Sequence, residues 1–366
     1  MADKFDITRR DFLNGVALSL AAGSSLSPLE ILAKERSTAG YYPPALTGLR
    51  GNHAGSFEIA HAVAMGGAKF GTPKEQTDST YDLVVVGGGI SGLAAAFFYR
   101  QQHGGKVLVI DNHDDFGGHA KRNEFTVDDQ LLIGYGGSQS LERPSTYSKA
   151  SRQLLKDVGI DVQKFYGYFD QDWSRKRNLG QGIYFESETY GQDQTLDSAV
   201  WFFGRSPDYD RIDDIVAAYP LPEESRKALL SLMQSEEDLL PDLDPDAAAR
   251  LMAGISYSDY LRRHAGMPED VVLLLRDSIR TYWGVGWDAL SALEAWRLEQ
   301  PGTWGLRIDP AERGDFYASD EPYIFHFPDG NAGVARALVR ALIPAAVPGD
   351  SMEALVTARV DYEELD

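Results

Sequence analysis

The clearest pattern of apolar and polar positions lies between residues 82 and 111. After Asp82 comes an unbroken apolar run to Val86, rich in β-branched residues, which is typical of a strand buried in a parallel sheet. Residues 93–100 favour a helix, which the pair Gly104–Gly105 ends, and a second apolar run follows at 106–110. The order strand, helix, strand predicts one βαβ unit.

Helical patterns dominate from residue 145 to about residue 300. Ser145 is the predicted cap of a helix that runs to Val158, with Gly159 as its stop. Three further helix starts follow, at Pro222, Asp244–Pro245 and Met267–Pro268. Residues 181–191 differ, because they alternate and are aromatic, and they predict a strand.

The end of the chain returns to a strand and helix pattern. Residues 324–327 predict a strand, 328–331 a turn, and Ala332 to Ile343 a helix. As a bare pattern this is a strand followed by a capped helix. A strand followed by a helix does not by itself indicate a function.

Composition bounds the function. The chain has 366 residues, of which 43% are hydrophobic, enough for two to three domain-sized units and too apolar for wholesale disorder. Acidic residues outnumber basic ones by 55 to 35, so the net charge of −20 disfavours nucleic acid and suits a cationic substrate, although it also serves solubility. The absence of cysteine excludes disulfides, thiolate nucleophiles and iron–sulfur clusters.

The first 40 residues contain Arg9–Arg10 ahead of a modestly apolar stretch from Phe12 to Leu26. This segment resembles a twin-arginine export signal, and it is too short and too interrupted for a transmembrane span. It predicts a periplasmic protein that crosses the membrane already folded, through the twin-arginine export machinery. A surface amphipathic helix that happens to contain two arginines is the alternative. Residues 41–80 are rich in glycine, proline and alanine and predict an extended arm.

The glycines between the two predicted strands are the first candidate site. Gly87 would permit the tight turn, Gly89 would let the backbone approach a pyrophosphate, and Gly92 would let the helix pack closely on the strand. The helix N-terminus favours the negative charge of the pyrophosphate. The candidate cofactor-binding residues of this loop are Gly87, Gly88, Gly89, Ser91 and Gly92. The alternative is a glycine-rich turn without a ligand.

Asp111 stands at the carboxyl end of the second strand, where it would accept hydrogen bonds from the adenosine ribose. Six positions later comes the pair Gly117–Gly118, and this spacing resembles the extended FAD signature of the flavin amine oxidase and desaturase superfamily. Gly137 and Ser138 resemble that superfamily's next glycine segment, near the isoalloxazine ring. Two departures are Asp111 in place of the commoner glutamate and His119 where many relatives carry arginine. Without the family, Gly117–Gly118 could be an ordinary type II turn.

These patterns predict an α/β fold, in which a Rossmann-like FAD-binding domain carries an inserted, mostly helical α+β substrate domain. The expected divisions are a signal region (1–40), an arm (41–80), the first part of the FAD domain (81–144), the substrate domain (145–320) and an incomplete return to the FAD domain (321–366). No metal site is expected.

Aromatic residues cluster in the middle of the chain, and Trp283 and Trp287 flank two glycines there. One hypothesis is an aromatic tunnel that holds an ammonium substrate by cation–π contacts. The alternative is that these aromatic residues pack in the hydrophobic core and bind no substrate. These two tryptophans are the candidate substrate residues.

Three segments together resemble bacterial spermidine dehydrogenase-like flavoproteins: residues 42–51, the FAD segments and residues 327–332. The resemblance implies an FAD enzyme that oxidises a carbon–nitrogen bond of a polyamine to an imine, by hydride transfer to the flavin. It leaves the catalytic residues and the electron acceptor unassigned. Some such proteins also hold haem, for which His53 and His61 are the candidate ligands, with surface histidines as the alternative; c-type attachment is excluded.

The resemblance also implies further strands and a final glycine segment after Ala332, and neither is found there. We therefore expect the chain to be the front part of such a protein. Two alternative functions stay open. One is an FAD-dependent oxidase or desaturase of an apolar substrate, and the other is an inactive nucleotide-binding fragment.

Overall fold

The computed structural model describes residues 41–46, 56–72, 76, 78–170, 172–201, 204–205, 208–319, 321 and 325–365. Phe169–Glu321 forms one compact unit, called here the second unit, and the described residues on either side of it form the first unit. The predicted export segment and His53 lie outside the described residues. The second unit begins at Phe169 rather than at the expected residue 145.

Among the described residues, the first unit contains four short strands, two helices of more than ten residues (Ile90–His103 and Ala332–Leu342) and several shorter helices. Its elements in chain order are α1 (Glu58–Ala64), β1 (Leu83–Val86), α2 (Ile90–His103), β2 (Val107–Ile110), β3 (Lys121–Val127), β4 (Gln130–Gly136), α3 (Lys149–Asp157), α4 (Phe165–Tyr168), and, after the second unit, α15 (Ala332–Leu342) and α16 (Met352–Thr357). Short 3₁₀ turns lie at Pro43–Ala45, Pro144–Thr146, Val162–Lys164 and Glu363–Leu365.

The second unit is mainly helical, with one small antiparallel sheet. Its elements are α5 (Trp173–Lys176), β5 (Gly182–Phe185), α6 (Ser187–Tyr190), β6 (Gln194–Asp197), α7 (Ile212–Ala217), α8 (Glu223–Gln234), α9 (Pro245–Gly254), α10 (Tyr257–Arg263), α11 (Glu269–Arg276), α12 (Arg280–Trp283), α13 (Ala292–Arg297) and α14 (Gly314–Ala318). Two 3₁₀ turns lie at Tyr209–Arg211 and Pro310–Arg313.

The βαβ unit predicted from the sequence is confirmed. Strands β1 and β2 pair in parallel from Leu83↔Val107 to Val86↔Ile110, and α2 connects them. Gly104 ends α2 in the left-handed region, with φ +68°, where a side chain would be strained. Helix α15 packs on α2, and the Arg100 guanidinium donates to the Leu342 carbonyl at 2.6 Å.

The β1–β2 sheet is less buried than its apolar sequence predicts. Val84 is 50% exposed, Val86 83% and Ile110 43%. The strand positions are correct, but the expected burial of the strand is wrong. The physical reason is that α2 packs on both strands from one side, whereas the side that carries Val84, Val86 and Ile110 stays open in the part of the chain that the structure describes.

A second sheet follows at once. Strands β3 and β4 form an antiparallel hairpin whose turn residues, Asp128 and Asp129, have φ values of 49° and 60°. Two residues with positive φ make the type of tight turn that matches the twist of a hairpin. This hairpin connects the glycine pair Gly117–Gly118 to Gly137 and Ser138, which are called here the second glycine segment.

Several predicted boundaries move. Ser148, and not Ser145, caps α3, because its hydroxyl accepts from the Ser151 N–H. The strand expected over residues 181–191 ends at Phe185, where Asp193 accepts from the Ser187 N–H and a short helix begins. At the expected strand 324–327, Phe325 makes an isolated bridge to Leu141 instead. The helix expected from Ala332 is α15.

The core of the second unit is one continuous apolar cluster drawn from its strands and helices. Its largest fully buried members include Trp287, Tyr219, Tyr257, Tyr260, Met233 and Met252. The tyrosine hydroxyls at these positions bond to backbone groups; Tyr257 donates to the Pro301 carbonyl at 2.6 Å and Tyr260 to the Gly302 carbonyl at 2.7 Å. The phenol groups are thus buried without an unpaired polar atom.

The longest helix that the structure describes, α2, has 14 residues, fewer than the ~20 that cross a bilayer. Within the described ranges, no helix combines the length and the apolar character of a membrane span.

Candidate functional site

The glycine loop between β1 and α2 is as tightly packed as its sequence predicts. A Cβ atom at Gly92 would lie 1.9 Å from the Gly87 carbonyl oxygen, closer than any side chain can approach. Gly87 itself has φ +106°, a conformation that a side chain would strain. The close contact between the start of α2 and the end of β1 therefore requires glycine at both positions.

The start of α2 offers a polar surface for a ligand. Gly89 is the N-cap residue and, as glycine, has no side chain that could cap the first N–H groups of the helix. Since the first N–H groups of a helix have no partner within it, those of Ile90, Ser91 and Gly92 remain available to an anion. Ser91 is exposed beside them.

Asp111 anchors this loop from the end of β2. Its Oδ2 accepts from the Gly88 N–H at 2.6 Å, and its Oδ1 accepts from the His113 N–H at 2.9 Å. The side chain is exposed, and each carboxylate oxygen can accept a further hydrogen bond, for example from a ribose hydroxyl. Asp111 thus joins the glycine loop to the loop after β2.

The glycine pair lies directly against the first glycine loop. Gly117 donates its N–H to the Gly88 carbonyl at 2.8 Å and forms a parallel bridge with Gly89. Both members of the pair have positive φ, and a Cβ at Gly118 would lie 3.1 Å from the Gly89 Cα. The structure therefore brings together the two glycine motifs that the sequence places 28 residues apart, as Gly89 and Gly117 show.

The second glycine segment follows β4. Gly137 has φ +83°, and a Cβ there would lie 2.6 Å from the His119 carbonyl, so this segment packs on the loop that follows Gly118. On its other side lies the turn before α15: a Cβ at Gly330 would lie 2.5 Å from the Ser138 carbonyl. Gly137 and Ser138 are thus held between two loops, and Gly137 remains exposed.

A buried ion network supports that turn. Asp329 has no exposed surface, and its Oδ2 accepts from the Arg122 guanidinium at 3.0 Å and lies 3.8 Å from the Arg336 Nε. Burial raises the pKa of the Asp329 carboxyl, and the two arginines oppose that rise. Arg122 also binds Glu124 at 2.7 Å, so two cations are matched by two carboxylates.

The same network reaches the arm and the end of the chain. The Tyr42 hydroxyl donates to Glu124 at 2.9 Å, and burial and that carboxylate raise the pKa of the Tyr42 phenol. Arg336 donates to the backbone carbonyls of Leu355 and Ala358. Sequence reasoning missed Asp329, Arg122 and Arg336, because Arg122 and Asp329 are 207 residues apart in the chain and no local motif links them.

A cavity of about 950 Å³ runs along β2. Its lining includes Arg100, Gly88 and Asp111. Two tyrosines close the loop after β2: Tyr41 donates to Asp114 at 3.0 Å and Tyr362 to Asp115 at 2.7 Å. The loop after β2 is therefore bonded both to the arm, through Tyr41, and to the last residues of the chain, through Tyr362.

The candidate substrate residues are placed differently from one another. Trp287 is 0% exposed in the core of the second unit, where its indole N–H donates to the Ser278 hydroxyl at 3.1 Å and its ring meets Tyr257 edge-on. Trp283 is 42% exposed and contacts the Tyr282 ring. The placement of Trp287 corresponds to core packing rather than to an open tunnel wall.

Of the two candidate haem ligands, His61 lies exposed on α1, with its ring against Phe57 at a centroid distance of 5.0 Å. His53 lies outside the described residues. Within the described ranges, no group of three or more acidic or histidine side chains is placed to hold a metal ion.

The residues of the first unit fit a dinucleotide. Two glycine loops meet where a Cβ would intrude, helix N–H groups face the same place, and a carboxylate stands at the end of β2. This combination offers donors for a pyrophosphate and an acceptor for a ribose. These residues are among those predicted from the sequence, and the structure adds Asn331, which bonds to Ser138, and Asp329, which is paired with Arg122 in the turn before α15.

Comparison with solved structures finds similarity to putrescine oxidase. The wild-type enzyme bound to putrescine matches with 20% identity and a TM-score of 0.32, over 72% of this chain and 49% of that one. A double mutant and a single mutant of the same enzyme, from a structure-based redesign of cofactor binding, match over the same shares with 20% identity and TM-scores of 0.30. The chain spans about half the length of these structures.

No curated protein matches the chain at a significant level. A family model described as an NAD(P)-binding Rossmann-like domain matches residues 85–158. That range holds the glycine loop, Asp111, the glycine pair and the second glycine segment, and it extends past the expected boundary at residue 145. The chain therefore contains a Rossmann-like dinucleotide-binding domain, within a mixed α and β fold.

Proposed function

We propose that this chain binds FAD and belongs to an oxidoreductase that oxidises a carbon–nitrogen bond of an amine, with a polyamine as the substrate class. The observation that carries the proposal is the packing of the glycine pair Gly117–Gly118 on Gly89. A Rossmann loop alone serves a pyrophosphate in many enzymes. A second loop without side chains beside it extends the bare backbone surface past the pyrophosphate, which suits a cofactor whose second half is a large planar ring.

We assign the residue roles within this proposal as follows. Gly87, Gly89 and Gly92 would leave room for the pyrophosphate at the start of α2, and Asp111, which holds the loop through the Gly88 N–H, would accept from the ribose. Gly117, Gly118, Gly137 and Ser138 would face the flavin half. When bound, FAD supplies a hydride acceptor; the chain supplies binding, orientation and exclusion of water. No side chain is assigned as a base.

The charge of the chain supports a cationic substrate. A net charge of −20 raises the local concentration of a polycation and disfavours nucleic acid. The export segment at residues 1–40 extends the proposal to a periplasmic enzyme delivered by the twin-arginine machinery. A haem held by His53 or His61 belongs to the same proposal and rests on the sequence resemblance alone.

A second candidate function is a nucleotide-binding fragment without activity. The open face of the β1–β2 sheet favours it, since Val84 and Val86 would be covered in a finished parallel sheet. The two candidates differ in whether amines reduce the bound flavin.

The deciding experiment is reconstitution with FAD, followed by anaerobic titration with polyamines and with lipophilic compounds. We expect a flavin spectrum on the purified chain and its bleaching by a polyamine. Binding without bleaching by either class of compound supports the fragment, and bleaching by lipophilic compounds alone supports a desaturase-type enzyme. If the chain binds no flavin, the proposal is wrong; a Soret band would reveal haem.

A glycine variant tests the assigned loop. Gly92→Ala places a Cβ against the Gly87 carbonyl, so we expect FAD binding to be lost. Gly167→Ala is the matched control, because a Cβ there meets no atom within 4 Å and alanine is favoured over glycine in a helix by about 0.5–1 kcal/mol. Unchanged FAD affinity in Gly92→Ala would place the cofactor elsewhere.

A further inference from the structure

The Asn331 side chain fastens the second glycine segment to the turn before α15. Its Nδ2 donates to the Ser138 hydroxyl at 2.9 Å and to the Ser140 carbonyl at 3.0 Å. The Asn331 backbone N–H adds a third bond, to the Ser138 carbonyl at 3.0 Å. Two of these three hydrogen bonds fix the side chain and the backbone of Ser138, and the third fixes the backbone of Ser140.

The orientation of the Asn331 amide follows from chemistry. A carbonyl oxygen only accepts hydrogen bonds, so the atom that faces the Ser140 carbonyl is the NH₂ group and not the amide oxygen. The Asn331 Oδ1 is left buried with no partner among the described residues. A buried oxygen without a partner costs free energy, which the three bonds to the glycine segment must offset.

This orientation decides what Ser138 can do. A hydroxyl is one donor and two acceptors, and the Ser138 oxygen here accepts from Asn331. Its own hydrogen must therefore point to another atom. In the part of the chain that the structure describes, this hydroxyl donates no hydrogen bond, and Ser138 is partly exposed at the candidate site.

We propose that Asn331 is a positioning residue that turns the Ser138 hydroxyl into a hydrogen-bond donor to an acceptor atom of the bound flavin. This inference rests on the proposed function. The flavin ring carries carbonyl oxygens and ring nitrogens that accept hydrogen bonds, and Ser138 lies in the segment assigned to its side of the site.

The turn that carries Asn331 is built to stay in place. Gly330 has φ +60° and lies so close to the Ser138 carbonyl and to Tyr135 that a Cβ would clash with both. Asp329, one residue earlier, is fully buried between Arg122 and Arg336. Asn331 therefore acts from a rigid base, which a residue that orients a hydroxyl requires.

A double-mutant cycle on the FAD-loaded chain tests the proposal. The variants are Asn331→Ala, Ser138→Ala and the double variant, and the readouts are the FAD dissociation constant, the position of the flavin absorption bands and the flavin midpoint potential. Loss of one hydrogen bond weakens FAD binding about two- to tenfold. Because Asn331 acts through Ser138, we expect both single variants to shift the bands alike and the double variant to lose no more than Ser138→Ala.

Ser351→Ala is the control for stability alone. Ser351 caps α16 in the same unit, where its hydroxyl accepts from the Ala354 N–H and its carbonyl from Arg340, and none of these bonds reaches Gly137 or Ser138. We expect it to lower the thermal midpoint while the flavin bands and potential stay unchanged. Ser138→Thr, which keeps a hydroxyl, should restore the bands.

Three results overturn the proposal. If the losses of Asn331→Ala and Ser138→Ala add, or if Asn331→Ala lowers the thermal midpoint without moving the flavin bands, Asn331 only stabilises the turn. If the unsubstituted chain binds no FAD, the proposed function fails and this inference fails with it. The first pair of results leaves the proposed function intact.

Discussion

The two units of the chain bury different kinds of side chain. In the part of the chain that the structure describes, all the buried charged residues lie in the first unit: Asp114, Asp115, Lys121, Arg122, Asp329 and Arg336. The second unit buries aromatic and aliphatic residues in one cluster, with tyrosine hydroxyls bonded to backbone. Removing a charged side chain from water costs free energy that even an ion pair only partly offsets. The first unit is therefore less stabilised by its buried residues than an apolar core would be, but these ion pairs fix the positions of its loops.

The difference also appears in the sheets. The first unit leaves Val84 and Val86 exposed on a parallel sheet, whereas Phe185 in β5 of the second unit has no exposed surface. A ligand-binding region needs open backbone and fixed polar groups, and a supporting region needs a closed core. The comparison teaches that the candidate site lies in the unit whose sheet is the more exposed and whose buried side chains include charged pairs.

All six tryptophans lie in the second unit, at residues 173, 201, 283, 287, 296 and 304. Tryptophan fluorescence therefore reports the unfolding of that unit alone. Hydrogen exchange, resolved by peptide, reports the first unit. The two measurements allow each substitution to be assigned to one unit.

The largest expected effect is that of Trp287→Ala. Removing this fully buried ring from the apolar cluster should destabilise the second unit by about 3–5 kcal/mol. Urea unfolding followed by tryptophan fluorescence measures it, and FAD affinity should not change. Trp283→Ala is the control, and with its ring 42% exposed it should cost far less. If Trp287→Ala instead loses polyamine oxidation while its stability is unchanged, Trp287 contacts the substrate and is not only a core residue.

An intermediate effect is expected for Asp329→Asn. The amide keeps the shape but removes the charge that faces Arg122 and Arg336, so the first unit should lose about 1.5–3 kcal/mol. Hydrogen exchange in α15 and β3 should speed up while the fluorescence midpoint stays in place. Asp129→Asn, an exposed turn residue of the same unit, should change neither. An equal response in both units would contradict the separation of the two cores.

The smallest effect is expected for Val86→Thr. On an open sheet face an added hydroxyl meets water, so the change should stay within about 0.5 kcal/mol. Val334→Thr in α15, where the side chain is buried, should cost about 1–3 kcal/mol because the hydroxyl loses its water. Hydrogen-exchange rates in β1 measure the cost of Val86→Thr, and those in α15 measure the cost of Val334→Thr. A large cost at Val86 would show that another part of the protein covers this face.

Local patterns predicted the part of the fold that local chemistry determines. The βαβ unit, its glycines and Asp111 follow from residues within one short stretch, and the helix starts at Pro222, Asp244 and Pro268 were found from single capping or N-terminal signals. Ser145 and Ser148 both fit a cap, and only the bond to the Ser151 N–H decides between them.

Long-range partners escaped prediction. The Asn331 side chain meets Ser138 across 193 residues, and nothing in either segment names the other. The sequence offered a substrate tunnel or core packing for Trp283 and Trp287 alike, yet the ring of Trp287 is buried and that of Trp283 is exposed, with a chain turn at Gly284 (φ +72°) between them. Burial of this kind depends on what packs against a segment, which the segment itself does not contain.

The open β1–β2 sheet has one more consequence, for self-association. Each strand has one edge without a partner among the described residues, and such edges are templates on which another chain adds a strand. Exposed Val84, Val86 and Ile110 supply the apolar, β-branched surface that favours this addition. The net charge of −20 opposes it by mutual repulsion, so salt that screens the charge should promote aggregation through the same sheet that holds the glycine loop.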